Sequence, residues 1–337
     1  MNCFRPIICA LLVLCTPLFS ESKVLQYPTF ELLSGSWREK DGTWRTFSKS
    51  DQSDLDRFTI NYQKKAHLIF APIPEMSRIP RVIHFIWLGP RSFPEQSVAN
   101  VAAWKELHPD WVLKFWTDSK ERPCPIEGME KHLIEDINFL YLKQYLDKTQ
   151  NWGEKADLIR YELIFQEGGM YVDHDVMPYR PFDAFHSAFD FFVGLENPHV
   201  NEGTDTKVFP CNCLFGARPN HPILKKTIKN VMERWEKMES RYSGSDPKSR
   251  FNKVMNRTFH SFTLATKECL NKDGMSDIVL PSSFFFAYKL FCENTVEQLK
   301  RHGLVYAKHD FAGAWVAKKD SSSSKSSKTT KKKKSKK

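Results

Sequence analysis

The stretch KADLIRYELIFQEGGMYVDHDVMP, Lys155 to Pro178, changes its period part-way along, and that change points to the fold. From Glu154 to Glu167 apolar residues recur at helical spacing: Ala156, Ile159 and Leu163 form one row, Leu158, Tyr161 and Phe165 another. This predicts a helix with a broad buried stripe. Gly168 and Gly169 end it, since glycine takes the positive φ of a helix C-terminus without steric cost. Met170 to Val176 is short, β-branched and aromatic, and predicts a strand on which alternate side chains share a face. Tyr171, Asp173 and Asp175 then stand on one side. Two carboxylates separated only by His174 repel one another unless a cation lies between them. Hard oxygen donors suit Mg²⁺ or Mn²⁺, with water and phosphate oxygens completing the shell. On the helix, Asp157 and Arg160 are three apart and neighbours on one face, so they form a surface ion pair or reach a polyhydroxylated ligand together. Taken alone, Asp-x-Asp also fits a solvated turn; its combination with the helix pair favours a site.

Working outward, Ile79 to Gly89 (IPRVIHFIWLG) is a nearly continuous apolar run, the pattern of a central parallel strand covered on both faces. Trp87 either fills core or faces a ligand. By alternation His84 points the other way, and it reads as a buried, hydrogen-bonded structural histidine. Phe93 to His108 predicts a helix and Asp110 to Asp118 (DWVLKFWTD) the next strand, together a βαβ unit with a right-handed crossover. Such sheets bind ligands beyond the carboxyl ends of their strands, so Trp87, Asp118, Asp173 and Asp175 are expected near one rim. Gly128 to Lys148 predicts an amphipathic helix. Phe189 to Glu196 and Val208 to Ala217 predict further strands, followed by a helix from His221-Pro222 to about Arg241 and a polar loop from Tyr242 to Lys248.

These residues resemble glycosyltransferase family 32, which includes the yeast initiating mannosyltransferase, and more distantly the large clostridial glucosylating toxins. The family pattern is Ala-Asp-x-x-Arg-Tyr, then Gly-Gly-x-Tyr-x-Asp-x-Asp; Ala156 to Tyr161 and Gly168 to Asp175 meet every position. The resemblance implies an α/β fold: a single GT-A-type, Rossmann-like domain over residues 79–317, its sheet mostly parallel, with helical insertions. It implies a metal-dependent, retaining transfer of a hexose from a nucleotide sugar (UDP- or GDP-hexose) to a hydroxyl of a glycan, lipid or protein acceptor. The catalytic set would be Asp157, Arg160, Asp173 and Asp175. Mn²⁺ or Mg²⁺ would be held by Asp175, by Asp173 shared with the ribose, and by His309, with Asp310 a second choice. Asp157 and Arg160 would hold the donor sugar, Trp87 the base and Trp315 the diphosphate, with Tyr171 among the donor-binding residues. His309 and Trp315 come from LVYAKHDFAGAW, Leu304 to Trp315, which is similar to the family's ending, although Ala314 stands where a serine is common. Asn212 is a sugar or acceptor contact, or a backbone-bonding residue at a sheet end. Thr258-Phe-His-Ser departs from the family's Thr-Gly-Pro where acceptors are met, so acceptor identity does not carry over.

The chain has 337 residues and a formal net charge of +10, but Lys318 to Lys337 holds ten lysines against one aspartate, so nine of those charges sit in a Ser/Lys-rich tail. The body, at +1, implies no nucleic-acid-binding face. The tail, 318–337, has nothing to bury and is expected to be disordered, serving solubility or an acidic membrane surface. Met1 to Ser22 has the layout of a signal peptide, or of an uncleaved anchor, and implies the secretory pathway or export. Residues 23–78 form a peripheral segment in which Trp37, Trp44 and Phe47 are expected to clamp onto the body. Of eight cysteines, Cys3, Cys9 and Cys15 fall in the leader; the five others make no complete disulfide framework, and Cys211 and Cys213 read as core. Asn256-Arg-Thr is a glycosylation sequon. Two rival readings stand beside the transferase: a haloacid-dehalogenase-type phosphatase, which also uses Asp-x-Asp, and a non-catalytic exported protein that keeps the fold.

Overall fold

The computed structural model describes residues 28–34, 48–196, 208–291 and 293–313. The leader, Trp37, Trp44, Phe47, Cys292, Ala314, Trp315 and the lysine-rich tail lie outside the described residues. Among the described residues two helices, α1 (Phe30–Leu33) and α2 (Lys49–Phe70), precede the first strand. Then come β1 (Val82–Trp87), α3 (Glu95–Leu107), β2 (Val112–Thr117), β3 (Glu130–Leu133), α4 (Lys143–Lys148), α5 (Trp152–Glu167), β4 (Gly169–Val172) and β5 (Val176–Pro178). The second half holds α6 (Asp183–Ala188), β6 (Phe191–Leu195), β7 (Pro210–Ala217), α7 (Pro222–Arg241), α8 (Pro247–Arg257), α9 (Phe259–Cys269), β8 (Asp277–Leu280), α10 (Ser283–Leu290), α11 (Glu293–Arg301) and β9 (Ala307–His309).

Seven strands form one sheet in the order β3-β2-β1-β4-β7-β6-β8, and β5 pairs with β9 in a separate two-stranded sheet. The α/β expectation of a mostly parallel sheet holds: β1–β2, β1–β4, β2–β3 and β6–β8 run parallel, whereas β7 runs antiparallel to both β4 and β6. Because β7 is reversed, its first residues lie at the same rim as the ends of β1 and β4. α5 is buried on most of its circumference, and its N-cap Asn151 accepts from the Glu154 N–H at 3.0 Å. Both glycines after α5 are needed. Gly168 has φ +69° and Gly169 φ +96°, and a Cβ on Gly169 would fall 2.8 Å from the Val82 carbonyl and 2.9 Å from the His84 ring. The helix can turn into β4 only because nothing projects there.

Three local expectations are corrected. The helix expected over 128–148 is instead edge strand β3, a 3₁₀ turn at Ile134–Asp136 and the short α4. Glu162, buried on α5, takes the backbone N–H groups of Leu140, Tyr141 and Leu142 at 2.7, 3.2 and 3.0 Å, so a carboxylate from elsewhere in the chain satisfies donors that a helix would have paired internally. The strand expected to run to Val176 ends at Val172, and residues 173–175 form a turn between the two sheets. The polar loop of 242–248 is shorter, because Asp246 caps α8. α2 packs against β8: the Asn61 amide donates to the Asp277 carbonyl at 2.9 Å and accepts from Val279 N–H at 3.2 Å. His84 is buried as expected.

The small β5/β9 sheet is anchored from beneath by aromatic rings. Phe185 packs on Tyr306 with centroids 4.6 Å apart, and Phe182 lies 5.6 Å from the same ring. Each fully buried phenylalanine contributes on the order of 2 kcal/mol. This packing fixes β9, and hence His309, against β5.

Candidate active site

The ends of β1 and β4 and the start of β7 open on a cavity of about 630 Å³. Its walls include Trp87, Asp157, Arg160, Tyr171, Asp173, Asp175 and His309, so seven of the eight sequence-predicted site residues meet in one place. The eighth, Trp315, lies outside the described residues.

Asp173 continues from β4. Its backbone N–H makes the last ladder bond, to the Cys213 carbonyl at 2.8 Å. Its Oδ1 accepts from the Tyr171 hydroxyl at 2.5 Å and lies 3.3 Å from Arg160 Nη1. Both contacts use the same oxygen, which leaves Oδ2 without a protein partner among the described residues. Arg160 is buried, its guanidinium 4.0 Å from the centre of the Tyr171 ring. It also reaches Asp157 Oδ1 at 3.1 Å and donates to the Asn212 carbonyl at 2.8 Å. Burial works against its charge, but Tyr171, Asp173 and Asp157 outweigh that and hold the guanidinium protonated. Asp157 is occupied on both oxygens: Oδ1 accepts from the Asn212 amide at 3.0 Å, Oδ2 from the Thr258 hydroxyl at 2.5 Å. Burial pushes its carboxyl above the ordinary range, against the pull of Arg160. The helix pair is therefore no surface ion pair.

Asp175 leads into the other sheet. Val176 is paired with His309 across β5/β9, the Asp175 carbonyl accepts from Asp310 N–H at 3.0 Å, and its Oδ2 accepts from Ala312 N–H at 2.6 Å. His309 Nε2 lies 3.4 Å from Asp175 Oδ1. Burial alone would raise the Asp175 carboxyl and lower the imidazole; their mutual bond and charge outweigh it, so Asp175 falls well below the usual carboxylate range and His309 rises above 6.5. The ring packs on Phe311 at 4.0 Å, whose φ of +53° is a strained setting for a bulky residue. The Asp310 carboxylate turns instead to Lys308 at 2.6 Å.

One ligand atom each from Asp173, Asp175 and His309 lie within 4.8 Å of one another. Ligands about 2.1 Å from a shared ion lie at most about 4.2 Å apart, so small side-chain rotations close the set. Two carboxylates and an imidazole suit a divalent ion of the Mn²⁺ or Mg²⁺ kind. His309 Nδ1 is buried without a hydrogen-bond partner, which fits a ring placed for something other than protein bonds.

Trp87 is nearly buried, its indole N–H donating to the Arg91 carbonyl at 2.9 Å and its ring meeting His174 edge-on at 4.9 Å. Asp118 does stand at this rim, as a brace: it accepts from Gly89 N–H at 2.9 Å and from Arg122 at 2.8 Å, and Arg122 donates to the Trp87 carbonyl at 2.7 Å. Sequence reasoning missed Thr258, the Ala312 N–H and the His174 ring. A threonine about a hundred positions from its carboxylate leaves no periodic trace, and a backbone N–H leaves none at all. The Asn212 side chain bonds other side chains rather than backbone: its amide donates to Asp157 at 3.0 Å and to the Tyr161 hydroxyl at 2.6 Å, while its backbone carbonyl accepts from Arg160. Asn256 of the sequon is buried, with its amide bonded to the Asn252 carbonyl, so the folded chain offers no accessible acceptor there.

Residues 94–191 match the family model described as the glycosyltransferase sugar-binding region containing a DXD motif. Inositol phosphoceramide mannosyltransferase 1 of Schizosaccharomyces pombe is 28% identical over 177 residues, covering 52% of this chain and 49% of that protein. Subversion of eukaryotic traffic protein A of Legionella pneumophila is 26% identical over 150 residues, covering 40% and 23%. The chain thus spans about half of the first relative and under a quarter of the second. Among solved structures, the PaToxG glycosyltransferase is similar with a TM-score of 0.44 at 17% identity, covering 75% of this chain and 84% of that one. Among the described residues no helix is long and apolar enough to cross a membrane.

Proposed function

We propose that this chain, whose residues 94–191 match the model of a DXD-type sugar-binding region, is a metal-dependent glycosyltransferase of the GT-A type that moves a hexose from a nucleoside diphosphate to an acceptor hydroxyl with retention. The observation that carries the reading is the convergence of Asp173, Asp175 and His309 beside a cavity that Trp87, Asp157 and Arg160 also line. Asp173, Asp175 and His309 would hold Mn²⁺ or Mg²⁺. A bound divalent ion supplies positive charge to the departing diphosphate, where it counts most in a site shielded from water.

The chain's own groups do the rest. Trp87 offers an aromatic wall for the base, and Asp173 Oδ2 remains available for ion or ribose. Arg160 keeps Asp173 and Asp157 from repelling one another and aims both into the cavity. Asp157, held by Thr258 and Asn212, faces the donor sugar as a fixed hydrogen-bond acceptor. Since both its oxygens are engaged, it is a poor nucleophile, which favours attack by the acceptor hydroxyl on the face the diphosphate leaves. The sugar–phosphate C1–O bond breaks with its electron pair going to the diphosphate, the acceptor oxygen bonds C1, and the acceptor proton passes to the leaving phosphate oxygen.

The acceptor is a glycan, lipid or protein hydroxyl, and the signal-peptide layout of Met1 to Ser22 supports the secretory pathway or export; N-terminal sequencing of secreted material starting near residue 23 would support that reading, and an intact leader would point to an anchor. The activity test is diphosphate release from a panel of UDP- and GDP-hexoses with Mn²⁺. Turnover is expected with one donor and its loss in Asp173→Asn/Asp175→Asn; equal turnover in that variant refutes the assignment.

A further inference from the structure

The family pattern Asp-x-Asp leaves its middle position open, and here it is His174. Its contacts tie this residue to helix α3 on one side and to the aromatic wall on the other. Its Nδ1 shares a hydrogen bond with the hydroxyl of Ser97 on α3 at 2.8 Å, and Ser97 is buried. Its carbonyl accepts from the amide of Asn100, one turn further along the same helix, at 3.0 Å. Its ring meets Trp87 at 4.9 Å and 82°, and Phe93 at 6.0 Å and 73°, while Phe93 itself lies 5.5 Å from Trp87.

The turn needs such an anchor. Residues 173–175 lie in neither sheet, and within the turn the one backbone bond is Val176 N–H to the Asp173 carbonyl at 3.1 Å. The two carboxylates flank His174 on a short chain, so the direction of either depends on where His174 is fixed. Trp87 is fixed by its indole N–H and by edge-to-face contacts with His174 and Phe93. The imidazole is therefore in contact with the aromatic wall and covalently adjacent to both carboxylates.

Resting on the proposed function, we infer that His174 is a positioning residue that couples the two halves of donor binding: cation held at Asp173 and Asp175 orders the turn, the ordered turn seats the imidazole on Trp87, and the seated Trp87 binds the nucleotide base more tightly. Coupling of this kind is reciprocal, so nucleotide tightens the cation by the same factor. Ser97 and Asn100 act through His174, setting the orientation of the ring and the height of the turn.

The test is calorimetric titration of UDP and GDP into the full chain, with and without saturating Mn²⁺, for wild type, His174→Ala, His174→Asn and Ser97→Ala. In wild type, Mn²⁺ is expected to tighten the preferred diphosphate by about tenfold or more. His174→Ala is expected to cut that factor at least fivefold and to raise donor KM while kcat changes less than about threefold. Ser97→Ala should do the same more weakly. His174→Asn can keep the bond to Ser97 but lacks the ring, so it should retain Mn²⁺ binding and lose the enhancement of nucleotide binding. A purely structural role would lower the melting temperature and leave the enhancement factor alone; an unchanged factor in both His174→Ala and Ser97→Ala overturns the inference. Absence of any diphosphate binding in wild type would instead overturn the donor-site reading, and this inference with it.

Discussion

Asp173 and Asp175 are two residues apart and live in different surroundings. Asp173 follows directly on the last residue of β4 in the seven-stranded sheet, bonded through its backbone to β7 and through its side chain to Tyr171 and Arg160, both of which lie within the stretch that predicts the site. Asp175 opens the two-stranded sheet, and its partners His309 and Ala312 come from more than 130 positions later. The first is held by a buried guanidinium, the second by an imidazole and one backbone N–H. A seam between two independently anchored sheets can bring carboxylates close that a single strand would have spaced by its pleat, and that seam is where the candidate ion site lies.

The comparison breaks most visibly if both carboxylates are neutralised. Asp173→Asn/Asp175→Asn is expected to lower donor kcat/KM by three orders of magnitude or more, about 4 kcal/mol of transition-state stabilisation, measured as diphosphate release. Loss of less than tenfold would mean that the seam holds no essential ion.

Next in size is the guanidinium on the Asp173 side. Arg160→Ala leaves Asp157 and Asp173, both part-buried, without their cation, and should cost about 3–5 kcal/mol in urea unfolding. A cost below about 1 kcal/mol would show that solvent reaches the pair and replaces the arginine. An effect confined to the Asp173 side, with His309 chemistry intact, would sharpen the division between the sheets.

His84 offers a pH test of the large sheet alone. Burial, helped by the Lys114 charge, pushes its imidazole down to about 3 against the opposing pull of the Gly168 carbonyl 3.1 Å from Nε2; Nδ1 accepts from the Trp116 indole N–H at 3.1 Å and has no room for a second proton. The folded value lies below the ordinary 6.5, so the unfolded chain binds the proton first as pH falls. The stability is complete above about pH 6.5 and is lost progressively below it, by roughly 2–3 kcal/mol at about pH 4.5. In His84→Gln the slope of unfolding free energy between those pH values should shrink by that amount; an unchanged slope would place the titration elsewhere.

The smallest expected effect is at Thr258. Thr258→Val removes the hydroxyl donor to Asp157 Oδ2 and should cost about 1–2 kcal/mol in stability, with donor kcat/KM falling several-fold. Normal kinetics in a destabilised variant would make Thr258 a purely structural support.

Much of this was legible beforehand because it is local. Helical spacing placed Asp157 beside Arg160, the Gly-Gly pair placed the corner after α5, and the apolar run before Gly89 placed Trp87 at a strand end. Two segments that depart from their local pattern show why locality fails. Residues 128–148 have helical periodicity, yet Glu162 reaches across to take three backbone N–H groups and the segment stays open. Met170 to Val176 reads as one strand by composition, yet it changes sheets at Asp173, because β9 pairs only from Val176 onward.

By itself, then, the sequence determined which groups were available: an acidic pair, an arginine one helical step from an aspartate, a tryptophan at a strand end, a late histidine. Periodicity and glycine stereochemistry act between near neighbours, and they are written in order along the chain. Which of those groups touch was decided by packing. The reversal of β7, the aromatic support under β9 and the burial that forces Arg160 onto two carboxylates depend on surfaces far apart in sequence, and only in the folded molecule do their charges and hydrogen bonds have to be satisfied together.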